Sequence, residues 1–174
     1  YIAGPDINMT EKEMAIFVRA TGVPQGATGK PARLGGLPHE LGSTGYGVAE
    51  AVKLALAHRG IPLAAARVAI EGFGNVGIFA ARFLTEAGLR IVAVSDSKGA
   101  IYNQNGLPWK ELLKVKRMKG SVVNFLNSEK LSNEKIFTLP VDVLIPAALP
   151  DVINIGNADQ VEARVIVEGA NIAV

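Results

Sequence analysis

Residues 67–77, RVAIEGFGNVG, run an apolar strand directly into a G-x-G-x-x-G turn and then into a helical repeat. Gly72 permits a tight turn. Gly74 removes the Cβ that would stand between the backbone and an incoming ligand, and Gly77 lets the following helix lie close on the sheet. The first N–H groups of such a helix have no intrahelical acceptor and sit at the positive end of its dipole, so they suit an anion. The segment therefore reads as a cradle for a dinucleotide diphosphate.

With 19 glycines in 174 residues, a glycine triplet alone would mean little. Its surroundings give it weight. Val68, Ala69 and Ile70 make a short buried-strand run, and the helical stretch from Val76 to Ala87 puts Phe79, Ala80, Phe83 and Leu84 on one stripe. A second strand, Ile91 to Val94, leads to Asp96. This acid follows Gly72 by 24 residues, near the spacing of about 20 at which a carboxylate meets the adenosine ribose hydroxyls. The plain alternative is an ordinary βαβ unit in which the glycines only tighten a turn and Asp96 caps a loop.

Composition removes several classes. The chain has no cysteine, so disulfides, thiol catalysis and cysteine-held metals are excluded, which fits a reducing compartment. His39 and His58 stand far apart, in no metal-ligand spacing. A formal net charge of +2 speaks against a dedicated nucleic-acid surface. The segment WKELLKVKRMKG is locally basic, yet Trp109, Leu112, Leu113 and Val115 make it an amphipathic helix with a solvated face. No apolar run approaches the roughly 20 residues of a membrane span. With 49% hydrophobic residues the chain can bury one sizeable core, and no linker divides it, so a single domain is expected.

Along the chain, Thr10 and Glu13 have capping-box spacing and predict a helix to about Ala20. Residues 21–42 are dense in proline and glycine and predict a long loop. Ser43 or Thr44 opens a second helix that stops before Gly60 and Pro62. Beyond Asp96 come an isolated Ile101–Tyr102 pair, a turn over Asn103–Gly106, the basic helix and a short helix from Ser132. Buried strands follow at Val141–Ile145, before PAALP, and at Val165–Val167, before EGAN. Strands alternating with helices predict a doubly wound α/β fold: a mostly parallel, Rossmann-like sheet covered on both sides. Ligands of such sheets gather at the carboxyl ends of the strands. Residues 72–77, 96–98, 146–149 and 168–171 therefore form one candidate rim.

The strings TGKP (28–31), GFGNVG, VSDSKG (94–99), IYN (from Ile101), PAAL (from Pro146) and VEGAN (from Val167) together resemble the glutamate dehydrogenases. They occur in that family's order and roughly its spacing. The leucine and phenylalanine dehydrogenases share the architecture but match these strings less well. Family members are longer and carry an amino-terminal domain that holds the amino acid and supplies a glycine-flanked lysine. No stretch of this sequence resembles that domain. The resemblance thus implies that residues 1–174 are an NAD(P)-binding domain, with residues 1–42 leading in from a substrate domain.

The resemblance also assigns residues. Asp6 matches the aspartate that exchanges protons with the substrate amine, and Thr44 a threonine that bonds the nicotinamide carboxamide. Gly72, Gly74, Asn75, Val76 and Gly77 match the diphosphate cradle. Asp96 and Ser97 match the adenosine ribose contacts, with Lys98 close enough to favour a 2′-phosphate, so either NAD or NADP is admissible. Ala147 and Ala148 match backbone contacts near the nicotinamide ribose, and Asn171 the family's nicotinamide-binding asparagine. The activity implied is reversible oxidative deamination of L-glutamate to 2-oxoglutarate and ammonium, by an enzyme that is a homohexamer at full length; the residues themselves offer no metal site, and the lack of a membrane span or recognisable signal peptide predicts a soluble, cytoplasmic protein. Two alternatives stand beside it: a leucine- or phenylalanine-type dehydrogenase, and a non-catalytic nucleotide-sensing module, which would have no use for Asp6.

Overall fold

In the computed structural model, residues 2–6, 9–37 and 41–174 are described. His39 and Glu40, which precede Thr44 in the sequence, fall outside them. The residues group into two compact units, 1–43 and 44–174.

The first unit is built on helix α1 (Glu11–Thr21). Thr10 and Glu13 form the expected capping box: the Thr10 amide donates to Glu13 Oε2 at 2.6 Å, and Thr10 Oγ1 accepts from the Lys12 amide at 3.2 Å. Gly22, at φ 68°, ends the helix in the left-handed region that glycine adopts without strain. The proline- and glycine-rich stretch is more ordered than a bare loop. It holds one-turn helices at Pro24–Gly26 and Ala32–Leu34 and pairs Ala27 with Ala3 in a parallel bridge. Met14, Val18 and Ala27 form its small core, with Met9, Phe17 and Leu34 packed against them.

The second unit carries a six-stranded sheet of β1 (Arg67–Glu71), β2 (Arg90–Asp96), β3 (Gly99–Tyr102), β4 (Glu129–Leu131), β5 (Val143–Pro146) and β6 (Val165–Ile166). Their order is β4-β3-β2-β1-β5-β6. Strands β2, β1, β5 and β6 are mutually parallel, whereas β3 and β4 add antiparallel at one edge. The Ile101–Tyr102 pair is therefore not isolated. Ser97 and Lys98 make a two-residue turn that folds it back on β2, where Ile101 is fully buried.

Side chains alternate across the sheet with the period of two that strands impose. Val68 and Ile70 join a core with Val52 and Leu56 of α2 (Ser43–His58), Ala80 and Leu84 of α3 (Asn75–Glu86), and Leu112 of α4 (Trp109–Lys119). Ala69 faces the other way, into a core with Val92, Leu144, Ile136 and Ile153. The sheet is covered on both sides as expected. On the second side, however, the helix expected from Ser132 is a single turn, Glu134–Thr138, inserting Ile136 and Phe137.

Helix α2 reaches α3 at Gly45. A Cβ there would lie 2.5 Å from Phe79 Cβ and 2.8 Å from the Val76 carbonyl oxygen. This contact sets the amino-terminal turn of α2 beside that of α3.

Candidate functional site

Strand β1 leads through α3 to β2 on one flank, while β5 pairs on the other. The chain's direction of travel reverses between β1 and β5, and a crevice opens beyond the carboxyl ends of such strands. Residues 72–77 lie there. Gly72 has φ 91°, and a Cβ on it would fall 2.6 Å from Ala148 Cβ. A Cβ on Gly77 would overlap the Gly72 carbonyl oxygen, so the turn closes only with glycine at both places. Gly74 differs: a Cβ on it would meet nothing within 4 Å, so it faces open space.

Gly74 is the N-cap of α3, and no side chain caps that end. The amides of Asn75, Val76 and Gly77 thus begin a 12-residue helix beside the open space at Gly74. That is the arrangement an anion requires. The glycine cradle and the uncapped helix end fit a dinucleotide diphosphate.

Hydrogen bonds draw the remaining rim segments to this turn. The Gly72 amide donates to Ser95 Oγ at 3.1 Å and the Phe73 amide to the Ser95 carbonyl at 2.6 Å. The Ala147 amide donates to the Glu71 carbonyl at 2.8 Å, and the amides of Gly169 and Ala170 donate to the Pro146 carbonyl at 2.7 and 3.0 Å. Ser97, Lys98, Ala148 and Asn171 are exposed. Thr44 is exposed in the first turn of α2, placed near α3 by the Gly45 contact. The structure thus gathers Gly72–Gly77, Asp96–Lys98 and Ala147–Ala148 around one crevice.

Asp96 is more deeply tied in than a lone ribose ligand would be. Its Oδ1 accepts from the Lys98 amide at 3.0 Å and from Ser121 Oγ at 2.9 Å, and its Oδ2 accepts from the Val122 amide at 2.9 Å. Lys116 Nζ approaches Oδ2 at 3.6 Å and donates to the Phe73 carbonyl at 2.8 Å. Burial pushes the Asp96 carboxyl up, but the Val122 and Lys98 amides, Ser121 and Lys116 together hold it below the usual carboxylate range. An ionised carboxylate has about four acceptor positions, and the one left here is on Oδ2, where Lys116 comes near.

Four residues of this rim escaped sequence reasoning: Glu71, Ser95, Lys116 and Ser121. Lys116 was visible only as part of a basic helix face. Ser121 acts across 25 residues, a separation that no local pattern signals.

In the first unit, Asp6 is exposed and its carbonyl accepts from the Met9 amide at 2.8 Å. Gly29 of TGKP has φ 62°, and a Cβ there would fall 2.6 Å from Pro5 Cγ. The Thr28 amide donates to the Ala3 carbonyl at 2.8 Å. TGKP therefore braces the backbone that leads to Asp6. Among the described residues no group of three His, Asp or Glu side chains could hold a metal, and no helix is long and apolar enough to cross a membrane.

A mostly parallel sheet with a glycine cradle at its switch point and an uncapped helix above it defines a nucleotide-binding α/β domain. The model of the Glutamate/Leucine/Phenylalanine/Valine dehydrogenase family matches residues 35–174, and the chain belongs to that family. A glutamate dehydrogenase of Aeropyrum pernix is 50% identical over 144 residues, 83% of this chain and 34% of the relative. An NADP-specific glutamate dehydrogenase of Saccharolobus shibatae is 44% identical over 176 residues, 98% of this chain and 42% of the relative. A crystal structure of a hetero-hexameric glutamate dehydrogenase of Thermus thermophilus superposes with a TM-score of 0.86 at 34% identity, covering 99% of this chain and 42% of that one. The chain thus spans well under half the length of these relatives.

Proposed function

We propose that this chain is the coenzyme-binding domain of an NAD(P)-dependent glutamate dehydrogenase, with residues 1–42 leading in from a substrate domain. The observation that carries the reading is the cradle itself: Gly72 and Gly77 closed against the backbone, Gly74 open, and the α3 amides uncapped. When bound, the coenzyme supplies the hydride acceptor for oxidation of the substrate α-carbon. The chain's own residues bind and orient it. Asn75 and Val76 hold the diphosphate through their amides, Thr44 and Asn171 orient the carboxamide, and the backbone of Ala147 and Ala148 lines the nicotinamide ribose. Asp96 accepts a ribose hydroxyl at its remaining position on Oδ2, assisted by Ser97. Lys98, together with Lys116, tempers the repulsion that Asp96 would exert on a 2′-phosphate, so both NAD and NADP enter.

Asp6 serves as the proton carrier for the substrate amine, a task for a carboxylate at hydrogen-bond reach. L-Glutamate and 2-oxoglutarate are the substrates, held largely by the amino-terminal domain. The whole enzyme is a cytoplasmic homohexamer, and this chain by itself is a monomer without turnover. Calorimetric titration of the chain with NADH and NADPH tests the reading. Saturable binding of at least one is expected, and heats no larger than dilution for both would overturn it.

A further inference from the structure

Glu71 ends β1 beside the cradle, and its carboxylate is buried, the residue being 8% exposed. A carboxylate in that position is costly unless donors meet it. The donors come from the other wall of the crevice, 76 and 77 residues away. Glu71 Oε2 accepts from the Ala147 amide at 3.2 Å and the Ala148 amide at 3.1 Å. The Ala147 amide also donates to the Glu71 carbonyl at 2.8 Å, so the side chain's own contribution falls on Ala148.

This bond sits where the two segments pack closely. Gly72, the next residue, has room for no Cβ because Ala148 Cβ would be 2.6 Å and the Ala148 amide nitrogen 3.0 Å from it. Gly169 closes the opposite side, where a Cβ would lie 3.2 Å from Ala147 Cβ and 3.0 Å from Val76 Cγ1. The loop at Ala147–Leu149 has no helix or strand of its own, and Ala148 and Leu149 are exposed. The Glu71 side chain ties it to the nucleotide turn.

We propose that Glu71 is a positioning residue for the coenzyme: by holding the Ala148 amide inward, it sets the width of the crevice between β1 and β5. The proposal rests on the coenzyme-binding reading above. In that reading the adenosine half lies toward Asp96 on the β2 flank, and the nicotinamide half lies over the β5 flank. The two halves are secured by separate networks, Asp96 with Ser121 and Lys116 on one side and Glu71 with Ala148 on the other. Loosening Glu71 therefore weakens a ligand that spans both flanks and spares one that uses only the first.

The test compares Glu71→Ala and Glu71→Gln with the unaltered chain. Dissociation constants for NADH and for 5′-AMP are measured by calorimetry, and exchange of the Ala148 amide is followed by NMR. Losing a charge-assisted hydrogen bond is expected to weaken NADH about tenfold in Glu71→Ala, with AMP changed less than about twofold and Ala148 exchanging at least about tenfold faster. Glu71→Gln keeps one acceptor oxygen and should hold both NADH affinity and Ala148 protection near those of the unaltered chain. Equal losses for NADH and AMP in Glu71→Ala would reduce Glu71 to a structural residue and overturn the proposal. So would unchanged NADH affinity with a freely exchanging Ala148. If Glu71→Ala does not fold, Glu71→Gln decides: loss of NADH binding with Ala148 still protected overturns positioning. If the unaltered chain binds neither ligand, the coenzyme reading itself fails, a distinct result.

Discussion

Replacing Asp96 with Asn should unsettle the fold at the carboxyl end of β2, and the size of the effect follows from its four neighbours. If the amide oxygen of the variant keeps the Oδ1 place, it still accepts from Ser121 Oγ and the Lys98 amide, which stand at 2.9 and 3.0 Å. Its NH2 group must then face the Val122 amide, a donor against a donor at the 2.9 Å site. Stranding that N–H costs about 1–3 kcal/mol. Loss of the partner at 3.6 Å from the partly exposed Lys116 adds roughly 1 kcal/mol or less. The total expected for Asp96→Asn is about 1–4 kcal/mol. Urea denaturation at pH 7 measures it. Because the folded carboxyl is held below its usual range, its contribution is present above the unfolded value of about 3.9 and is lost as pH falls through the folded one. The gap between variant and unaltered chain should therefore narrow on acidification below about pH 4. A difference under about 0.5 kcal/mol at pH 7 would refute the network, since an ordinary surface change costs no more.

Other outcomes follow from the same geometry. Gly74→Ala should cost no more than about 1 kcal/mol, because its Cβ meets nothing and alanine is only a poorer N-cap for α3, yet weaken NADH in calorimetry by protruding into the proposed diphosphate site. Gly77→Ala should lower both stability, by about 1–3 kcal/mol in urea, and affinity, because its Cβ collides with the Gly72 carbonyl. Burial raises the Glu71 carboxyl above its ordinary value despite the Ala148, Ala147 and Leu149 amides. Its contribution to stability is thus full below the unfolded value of about 4.3 and falls as pH rises through the folded one, so Glu71→Gln should gain on the unaltered chain from pH 4 to pH 8. Urea midpoints that stay parallel across that range would contradict it. Thr10→Ala should cost about 1 kcal/mol by losing the capping box, read in the same titration.

Much of this was legible in the sequence because it is local. The capping box at Thr10, the strand from Arg67, the glycine turn and α3 each declare themselves within a dozen residues, and the chain folds them as expected. Strand β4 did not declare itself: Glu129–Leu131 is a short, polar edge strand, whose pairing with β3 depends on Tyr102 and Ala100 rather than on its own pattern. The rim's chemistry was only half readable. Spacing singles out Asp96, but its partners Ser121 and Lys116 lie 25 and 20 residues onward and are brought in by tertiary packing. Glu71 was hidden in plain view, as one polar letter ending an apolar strand.

The bond from Glu71 to Ala148 also carries a cost in time. When Glu71 has been added to a nascent chain, its partner Ala148 is still 77 residues from synthesis. At ~5–20 residues per second that interval lasts about 4–15 s. Throughout it, the flank of β1 that will meet β5 presents Val68, Ala69 and Ile70 with unpaired backbone, an open template for a neighbouring polypeptide. Chaperone demand during translation should therefore peak between the emergence of β1 and that of β5, and a message truncated before Val143 should yield aggregate rather than a smaller soluble product.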